Sequence, residues 1–281
     1  MPKILDLFNL TGRVAVVTGG AGLLGAEFCQ TLLEAGATTI VADIDEGAAK
    51  RVSKSINQRF QPEEHVSKAI PVGVDIASKK SVDDLFHRVS EEFTRVDILV
   101  NSAAIDPKFA PGSLVDSDSE VGFEDFPLEL WKQALDINLT GIFLCCQAAG
   151  KLMTTQGGGV IINVGSIYGL VGPNQNIYQS EGNPVRYKPA YYSTSKAGIL
   201  GLTRYLATYY QKKNIRVNAL TPGGVFNDHD QDFVEAYSSR TVLGRMAEKD
   251  EMNGALLFLA SDASTYMTGN NLVVDGGWTA W

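Results

Sequence analysis

The sequence predicts a doubly wound α/β fold, in which a parallel sheet of about seven strands is flanked by helices. Short apolar runs alternate with helical stretches along the 281 residues, and this order produces parallel strands joined by helical crossovers. The first run, Val14–Thr18, is almost continuously apolar, as in strands that are buried on both faces. Because no linker or internal repeat interrupts the pattern, we expect residues 1–281 to form a single domain.

The elements follow from the length, composition and spacing of these runs. The predicted strands are Val14–Thr18, Thr38–Ala42, Ala69–Val74, Val96–Val100, Val160–Val164, Ile215–Leu220 and Asn271–Val274. The predicted helices are Leu23–Ala35, Glu46–Phe60, Lys79–Phe93, Pro127–Met153 with a bend near Asn138, Ala190–Gln211 and Asp250–Leu259. Gly and Pro place loop insertions near 106–126 and 172–188, and a loop with one short helix over 223–245.

Composition and charge restrict the classes of partner. The net charge is −8 and the chain is 44% hydrophobic. An acidic surface repels phosphate backbones, so we expect a small-molecule substrate and no nucleic acid. No apolar run is long enough to span a membrane, and the first residues do not resemble a signal peptide. The sequence therefore predicts a cytoplasmic protein.

The cysteine and histidine pattern predicts no metal site. The three cysteines, Cys29, Cys145 and Cys146, fall in apolar helical stretches with no metal-ligand spacing. We expect buried thiols in a reducing compartment. His229 is interpreted as a loop or polar-pocket residue.

A glycine-rich turn, TGGAGLLG over 18–25, follows the first strand and opens a helix. Glycine allows a sharp turn and a close approach to a pyrophosphate, and the helix N-terminus offers free N–H groups. This context predicts a dinucleotide-binding Rossmann fold. The expected contacts are Gly19, Gly22, Leu23, Leu24 and Gly25.

Acidic residues at the ends of the next strands predict the adenosine site. Asp43 ends the second strand at the spacing of the acid that binds an adenosine ribose. Because its charge repels a 2′-phosphate, and Lys50 and Arg51 are badly placed to offset it, we expect NAD rather than NADP. Asp43 is alternatively a helix cap, and Asp75 a cap or turn residue. Further expected cofactor contacts are Ile44, Asp75, Ile76, Asn101 and Ala103.

Ser166, Tyr192 and Lys196 predict proton-transfer chemistry. Tyr192 and Lys196 are four residues apart, which puts them on one face of a helix. An ammonium beside a phenol lowers the pKa of the phenol, so Tyr192 is a candidate acid or base near neutral pH. Tyr191 has no lysine four residues later and is not a candidate.

From Thr11 to the C-terminus the chain resembles the short-chain dehydrogenase/reductase family. The resemblance depends on the glycine turn, NSAA at 101–104, DINLTG around Asn138, Ser166, YSTSK with Tyr192 and Lys196, and TPGG at 221–224. It implies that Tyr192 exchanges a proton with the substrate, that Lys196 lowers the pKa of Tyr192 and binds the nicotinamide ribose, and that Ser166 binds the reacting oxygen. It also implies that Asn138 holds a water of a proton relay. The same resemblance implies cofactor contacts by Pro222, Gly223 and Val225.

Two departures from the family pattern concern the turn and the inserts. Short family members usually have glycine where Leu23 stands, whereas glycines at 19, 22 and 25 are typical of longer sugar-nucleotide epimerases. Tyr192 lies 26 residues after Ser166, about twice the usual spacing. The polar insert suits a hydroxylated substrate, and Arg186 and Lys188 can meet a phosphate or carboxylate; it is alternatively a solvated loop or an oligomer contact. The expected substrate contacts are Ser166, Tyr168, Arg186, Tyr192, Gly224 and Phe226.

The glycine spacing, the long insert and the GGWTAW ending are similar to a bacterial subgroup of flagellin modification and nonulosonic sugar synthesis. This similarity implies an oxidoreductase for a sugar-like substrate, phosphorylated or nucleotide-linked. The alternatives are a 3-oxoacyl thioester or polyol reductase and a non-catalytic cofactor-binding regulator. The family also implies a homo-oligomer, a tetramer or dimer, formed through helices 128–153 and 190–211. A second interface is expected at Trp278 and Trp281, which would be exposed on a monomer.

Overall fold

The computed structural model describes residues 3–60, 67–106, 120–179 and 185–281. These residues form a parallel sheet of seven strands in the order β3-β2-β1-β4-β5-β6-β7. The strands are β1 Val14–Thr18, β2 Thr38–Asp43, β3 Ala69–Gly73, β4 Ile98–Asn101, β5 Gly159–Val164, β6 Ile215–Pro222 and β7 Asn271–Val274. The predicted fold, a doubly wound Rossmann-type sheet flanked by helices, is confirmed.

The helices lie close to their predicted positions. They are α1 Leu23–Glu34, α2 Glu46–Arg59, α3 Lys79–Phe93, α4 Leu128–Leu135, α5 Ile142–Gln156, α6 Ala190–Tyr209, α7 Gln231–Ser238 and α8 Asn253–Ala260. The bend predicted near Asn138 is a π-helical segment, Asp136–Gly141, between α4 and α5. Short 3-10 turns occupy Phe123–Asp125 and Gln175–Tyr178 inside the two predicted loops. Residues 107–119 and 180–184 of these insertions lie outside the described residues.

Alternate residues of each strand pack on opposite faces of the sheet. In β1, Val14 and Val16 join an apolar cluster with α3, α5 and α6, whereas Ala15 and Val17 join a cluster with α1, α2 and α8. Both faces of the sheet are therefore covered by apolar side chains and excluded from water, which is why the strands are continuously apolar. The edge formed by the carboxyl ends of the strands remains available for a ligand-binding site.

A third, mostly aromatic cluster covers that edge. It includes Tyr168, Tyr178, Tyr192, Phe233, Tyr237 and Trp278. Trp278 is 7% exposed and stacks on Tyr237 with ring centroids 4.3 Å apart. The expectation that Trp278 is exposed on a monomer is wrong, because α7 supplies an aromatic partner from within the chain; Trp281 is 80% exposed.

No helix in the described part of the chain is both long and apolar enough to cross a membrane.

Candidate active site

A cavity of about 700 Å³ opens at the carboxyl ends of the strands. Loops that follow β1 to β6 all contribute to its wall, because parallel strands bring their carboxyl ends to one edge. The sequence-predicted residues on this wall are Gly19, Gly22, Leu23, Leu24, Gly25, Asp43, Ile44, Asp75, Ile76, Ala103, Ser166, Tyr168, Tyr192, Lys196, Pro222, Gly223, Gly224 and Val225. Asn101, Asn138, Arg186 and Phe226 are not among the lining residues.

The glycine turn leaves no space for side chains. Gly19 has φ +63°, and a Cβ there would lie 2.6 Å from the Cα of Ala103. A Cβ on Gly25 would lie 2.0 Å from the carbonyl oxygen of Gly19. Gly22 is the N-cap of α1, and it has no side chain that could cap the first N–H groups of this helix. Residues 22–25 line the cavity. The turn thus has the geometry of an anion cradle.

Asp43 is held at the end of β2 by the glycine turn. Its carboxylate accepts hydrogen bonds from the N–H of Ala21 at 3.0 Å and of Asp45 at 3.1 Å. Asp45, not Asp43, caps α2 through the N–H of Ala48. The alternative interpretation of Asp43 as the helix cap is therefore wrong. Lys50 and Arg51 form ion pairs with Glu46 and Asp45.

Asp75 and Asn101 occupy different environments at the same edge. Asp75 accepts a hydrogen bond from the N–H of Ala77 at 2.9 Å, which makes a turn, and also lines the cavity. Asn101 is 1% exposed and donates to the side-chain oxygen of Asn163 at 2.8 Å. The structure thus places Asn101 in a buried polar network inside the sheet rather than on the cavity wall.

Ser166, Tyr192 and Lys196 come together beside the glycine turn. Ser166 caps a 3-10 turn after β5, while Tyr192 and Lys196 lie one turn apart on α6. The Lys196 ammonium donates to the carbonyl oxygen of Val164 at 3.0 Å and lies 5.7 Å from the centre of the Tyr192 ring. All three side chains are more than 90% buried. Because one helix turn and two strand ends converge here, residues distant in sequence share one wall.

Burial dominates the ionisation of this group. It raises the pKa of Tyr192 well above its ordinary value; the nearby Asp106 raises this pKa further, and hydrogen bonding with Ser166 lowers it. Burial lowers the pKa of Lys196 to about 8, Asp106 opposes this change and Lys188 adds to it. The predicted lowering of the Tyr192 pKa is thus not what the described residues produce, since desolvation and the charge of Asp106 outweigh the hydrogen bonding with Ser166.

The depressed pKa of Lys196 makes a testable contribution to stability. In the unfolded chain this pKa is 10.5 and in the folded chain about 8, so burying the ammonium is costly at pH 7 and the cost shrinks between pH 8 and 10.5. Lys196→Met removes the charge. We expect this variant to have a higher free energy of unfolding than wild type at pH 7, and we expect the difference between the two proteins to be smaller at about pH 9.5.

Denaturant unfolding of both proteins without cofactor measures this difference. The three buried thiols also titrate at alkaline pH, but they are common to both proteins and cancel. A gain that is equal at the two pH values would contradict the prediction.

Known proteins are similar to this chain over nearly its whole length. The family model described as enoyl-(acyl carrier protein) reductase matches residues 20–279. Trans-4-hydroxycyclohexanecarboxylate dehydrogenase of Sinomonas cyclohexanicum is 35% identical over 100% of this chain and 97% of its own length. The cis-4-hydroxycyclohexanecarboxylate dehydrogenase of the same organism is 34% identical over 95% of this chain and 97% of its own length.

Solved structures of dehydrogenases superpose on this chain over nearly its whole length. A short-chain type dehydrogenase/reductase from Mycobacterium marinum superposes with a TM-score of 0.84 and 31% identity, covering 100% of both chains. The chain belongs to the short-chain dehydrogenase/reductase family. A gluconate 5-dehydrogenase from Burkholderia cenocepacia J2315, in complex with NADP and tartrate, superposes with a TM-score of 0.83 and 28% identity over 99% of this chain and 100% of its own. As a member of this family, the protein is an oxidoreductase.

Asn138 is fully buried in the π-helical segment. Its side chain accepts a hydrogen bond from the N–H of Ile105 at 2.7 Å and donates to the carbonyl oxygen of Ile105 at 2.9 Å. A π turn contains one extra residue, which changes the direction of a side chain. Here the two hydrogen bonds of the Asn138 side chain hold the segment after β4 in place. The water relay through Asn138 stays a prediction.

Two predicted substrate residues lie away from the cavity. The Nε atom of Arg186 is 3.7 Å from the Glu120 carboxylate, so this guanidinium is directed to a neighbouring loop. Phe226 is 39% exposed, and its ring centroid is 6.2 Å from that of His229. The expectation that Arg186 and Phe226 line the substrate site is not met, because loop conformation decides side-chain direction.

Sequence reasoning missed part of the cavity wall near Ser166 and Tyr192. The lining residues that it did not single out include Asp106, Tyr178, Phe233 and Tyr237, whereas Lys188 and His229, which the sequence offered as polar contact or pocket residues, also line the cavity. The Tyr178 hydroxyl donates to that of Tyr168 at 2.8 Å. The ring of His229 stacks on Phe233 at 5.0 Å, and its Nδ1 accepts a hydrogen bond from the N–H of Asn227 at 3.1 Å. The polarity of the insert signalled Tyr178 and Lys188, whereas no sequence signal pointed to the aromatic residues of α7.

Proposed function

We propose that this protein transfers a hydride between NAD and a secondary alcohol or ketone of a sugar-like substrate. One observation carries the proposal: the hydroxyls of Ser166 and Tyr192 and the ammonium of Lys196 line the same cavity as the glycine turn and Asp43. A group that exchanges a proton with the substrate and a dinucleotide cradle in one cavity are what the interconversion of an alcohol and a ketone needs.

The residues present fit NAD. The side-chain-free surface of Gly19 and Gly25 and the uncapped start of α1 suit a pyrophosphate. Asp43 suits the adenosine ribose, Asp75 and Ile76 the adenine side, and Pro222, Gly223 and Val225 the nicotinamide end. NAD, when bound, supplies the acceptor of the hydride.

The chain's own residues handle the proton and orient the substrate. As a phenolate, Tyr192 takes up the proton of the substrate hydroxyl during oxidation, and as a phenol it gives that proton back during reduction. The Ser166 hydroxyl, which lines the same cavity wall as Tyr192, holds the reacting oxygen. The Lys196 ammonium donates to the Val164 carbonyl and lies 5.7 Å from the centre of the Tyr192 ring, and it would bind the nicotinamide ribose.

Asp43 is proposed to select NAD. We expect Asp43→Asn to weaken NAD use and to lower the ratio of kcat/KM for NAD over NADP by about 10-fold, because the charge that repels a 2′-phosphate is lost while an acceptor for the N–H of Ala21 is kept. Steady-state kinetics with both cofactors measure the ratio.

The control is Asp45→Asn, two residues away. It removes a charge of the same sign but keeps a helix cap, so its cofactor ratio should stay at the wild-type value. An unchanged ratio in the Asp43 variant would refute the assignment.

The cavity wall favours a ring-shaped, polar substrate. Tyr178, Phe233 and Tyr237 give flat apolar surfaces, while Lys188 and His229 add polar groups. The relatives named for hydroxycyclohexanecarboxylates and gluconate act on hydroxy acids, which supports an alcohol with an acidic or polyhydroxylated body. The narrower assignment to flagellin or nonulosonic sugars stays a prediction.

A substrate panel tests the proposal. Purified protein with NAD is mixed with sugar phosphates, nucleotide sugars, polyols, ring-shaped hydroxy acids and 3-hydroxyacyl thioesters, and NADH formation is followed by absorbance. We expect turnover within the sugar or hydroxy-acid groups. Turnover of the thioesters alone would replace the sugar-like substrate with the reductase alternative.

We also propose a homo-oligomer formed through α5 and α6. Phe143, Tyr205 and Tyr209 expose 45%, 63% and 57% of their surface on these helices, and aromatic side chains on one face favour association. Sedimentation should give a species larger than the 30.3 kDa chain. A single species at that mass would contradict the proposal.

A further inference from the structure

Lys188 brings a second ammonium to the proposed proton donor. It precedes α6, its side chain is 7% exposed, and its Nζ atom lies 4.1 Å from the centre of the Tyr192 ring. The ammonium of Lys196 is farther away, at 5.7 Å from the same centre. A cation at such a distance from an aromatic face is attracted to it, and more strongly when water is excluded.

The Lys188 ammonium also forms an ion pair with the carboxylate of Asp106, which follows β4. Asp106 is half exposed, whereas Lys188 is buried. A buried ammonium needs such a partner. The pair joins two segments that are distant in sequence, and both residues line the cavity beside Ser166 and Tyr192.

The electrostatic neighbours of Tyr192 come from every segment around it. They are Lys196 and Tyr191 on α6, Lys188 before it, Tyr168 after β5, Tyr178 from the insert and Asp106 after β4. Asp228 and His229 after β6 line the same cavity. Among these groups the two lysines favour a phenolate, and the two carboxylates oppose it. Asp106 acts on the phenol directly and also compensates the charge of Lys188.

We propose that Lys188 is a positioning residue of this centre, whose ammonium stabilises the phenolate form of Tyr192, and that Asp106 sets how much of that charge Tyr192 experiences. This inference rests on the proposed role of Tyr192 as the proton donor. It adds to the Tyr192–Lys196 pair a second lysine that the insert delivers. The charge that the Tyr192 phenol experiences is then set by an ion pair rather than by one cation.

The test measures the ionisation of Tyr192 directly. Full-length protein is labelled with carbon-13 at Cζ of tyrosine, the Tyr192 resonance is assigned with Tyr192→Phe, and its pH titration is followed by NMR. We expect Lys188→Met to raise the pKa of Tyr192 by about 1 and Asp106→Asn to lower it by about 1. The double variant should titrate close to wild type, since it removes both charges.

A matched control uses another lysine that lies over tyrosine rings. Lys213 lies 5.2 Å from the ring centre of Tyr209 and 5.9 Å from that of Tyr210, far from the cavity. Lys213→Met should leave the Tyr192 titration unchanged. A loss of packing would not shift the Tyr192 pKa in opposite directions according to the charge that is removed. Opposite pKa shifts in Lys188→Met and Asp106→Asn therefore indicate an electrostatic effect.

The two proposals fail separately. Shifts of the same sign in Lys188→Met and Asp106→Asn, or no shift in either, overturn the role of Lys188. Because burial raises the pKa of Tyr192 well above its ordinary value, the titration extends as far into the alkaline range as the protein stays folded, and an Asp106→Asn resonance that does not ionise at a lower pH than that of wild type overturns that role too. The titration needs no turnover, so a Tyr192→Phe variant that keeps full dehydrogenase activity would instead refute the proposed function.

Discussion

Tyr192→Phe should lower kcat/KM for the alcohol substrate by about 1,000-fold, because the variant loses the proposed proton acceptor while the ring keeps its packing. Binding of NAD should change little, since the glycine turn and Asp43 are untouched. Steady-state and single-turnover kinetics with the best substrate of the panel measure the loss. Titration of intrinsic fluorescence with NAD checks that the cofactor site is intact.

The adjacent Tyr191→Phe is the control for this prediction. Tyr191 is 1% exposed and packs its ring on Phe126, at 5.8 Å between centroids, and it does not line the cavity. The variant should keep most of its activity. Equal activity losses in the two variants would indicate damage to α6 rather than loss of a proton acceptor.

Gly25→Ala should both destabilise the protein and prevent tight binding of NAD. Its Cβ would lie 2.0 Å from the carbonyl oxygen of Gly19 and 2.8 Å from the carbonyl carbon. Because these atoms are backbone, α1 or the glycine turn must move. We expect a loss of about 2–4 kcal/mol in free energy of unfolding and a rise of more than about 10-fold in the Kd for NAD.

Denaturant unfolding and calorimetric titration with NAD measure the two effects. Gly254→Ala in α8 is the control, since a Cβ there meets nothing within 4 Å. Alanine is the better helix former by up to about 1 kcal/mol, so this variant should be at least as stable as wild type and bind NAD normally. Tight binding by Gly25→Ala would contradict the interpretation of the turn as the pyrophosphate cradle.

The elements that local chemistry dictates could be predicted from the sequence. The bounds of β1, α3 and β7 match the predictions, because apolar runs and caps are local signals. Strands β2 and β4 extend to Asp43 and Asn101, one residue beyond the predicted ends, since parallel pairing uses backbone groups and tolerates polar residues at a strand end.

Side-chain direction at the site could not be predicted in the same way. Asn101 has the sequence context of a cofactor contact, yet its amide bonds to Asn163 within the sheet. Arg186 and Lys188 are close in sequence, but the first is directed towards Glu120 and the second towards Tyr192. Contacts of these insert residues depend on segments distant in the chain, which no local pattern encodes.

By itself the sequence determined the sheet, the glycine turn and the serine, tyrosine and lysine at its edge, because strand burial, backbone freedom and helical spacing are local properties. Only the tertiary structure decided which charges surround Tyr192 and whether burial or a neighbouring cation dominates its pKa. It also decided that Trp278 completes an aromatic wall within the chain. These outcomes depend on desolvation and on distances between segments, and both exist only after the chain has folded.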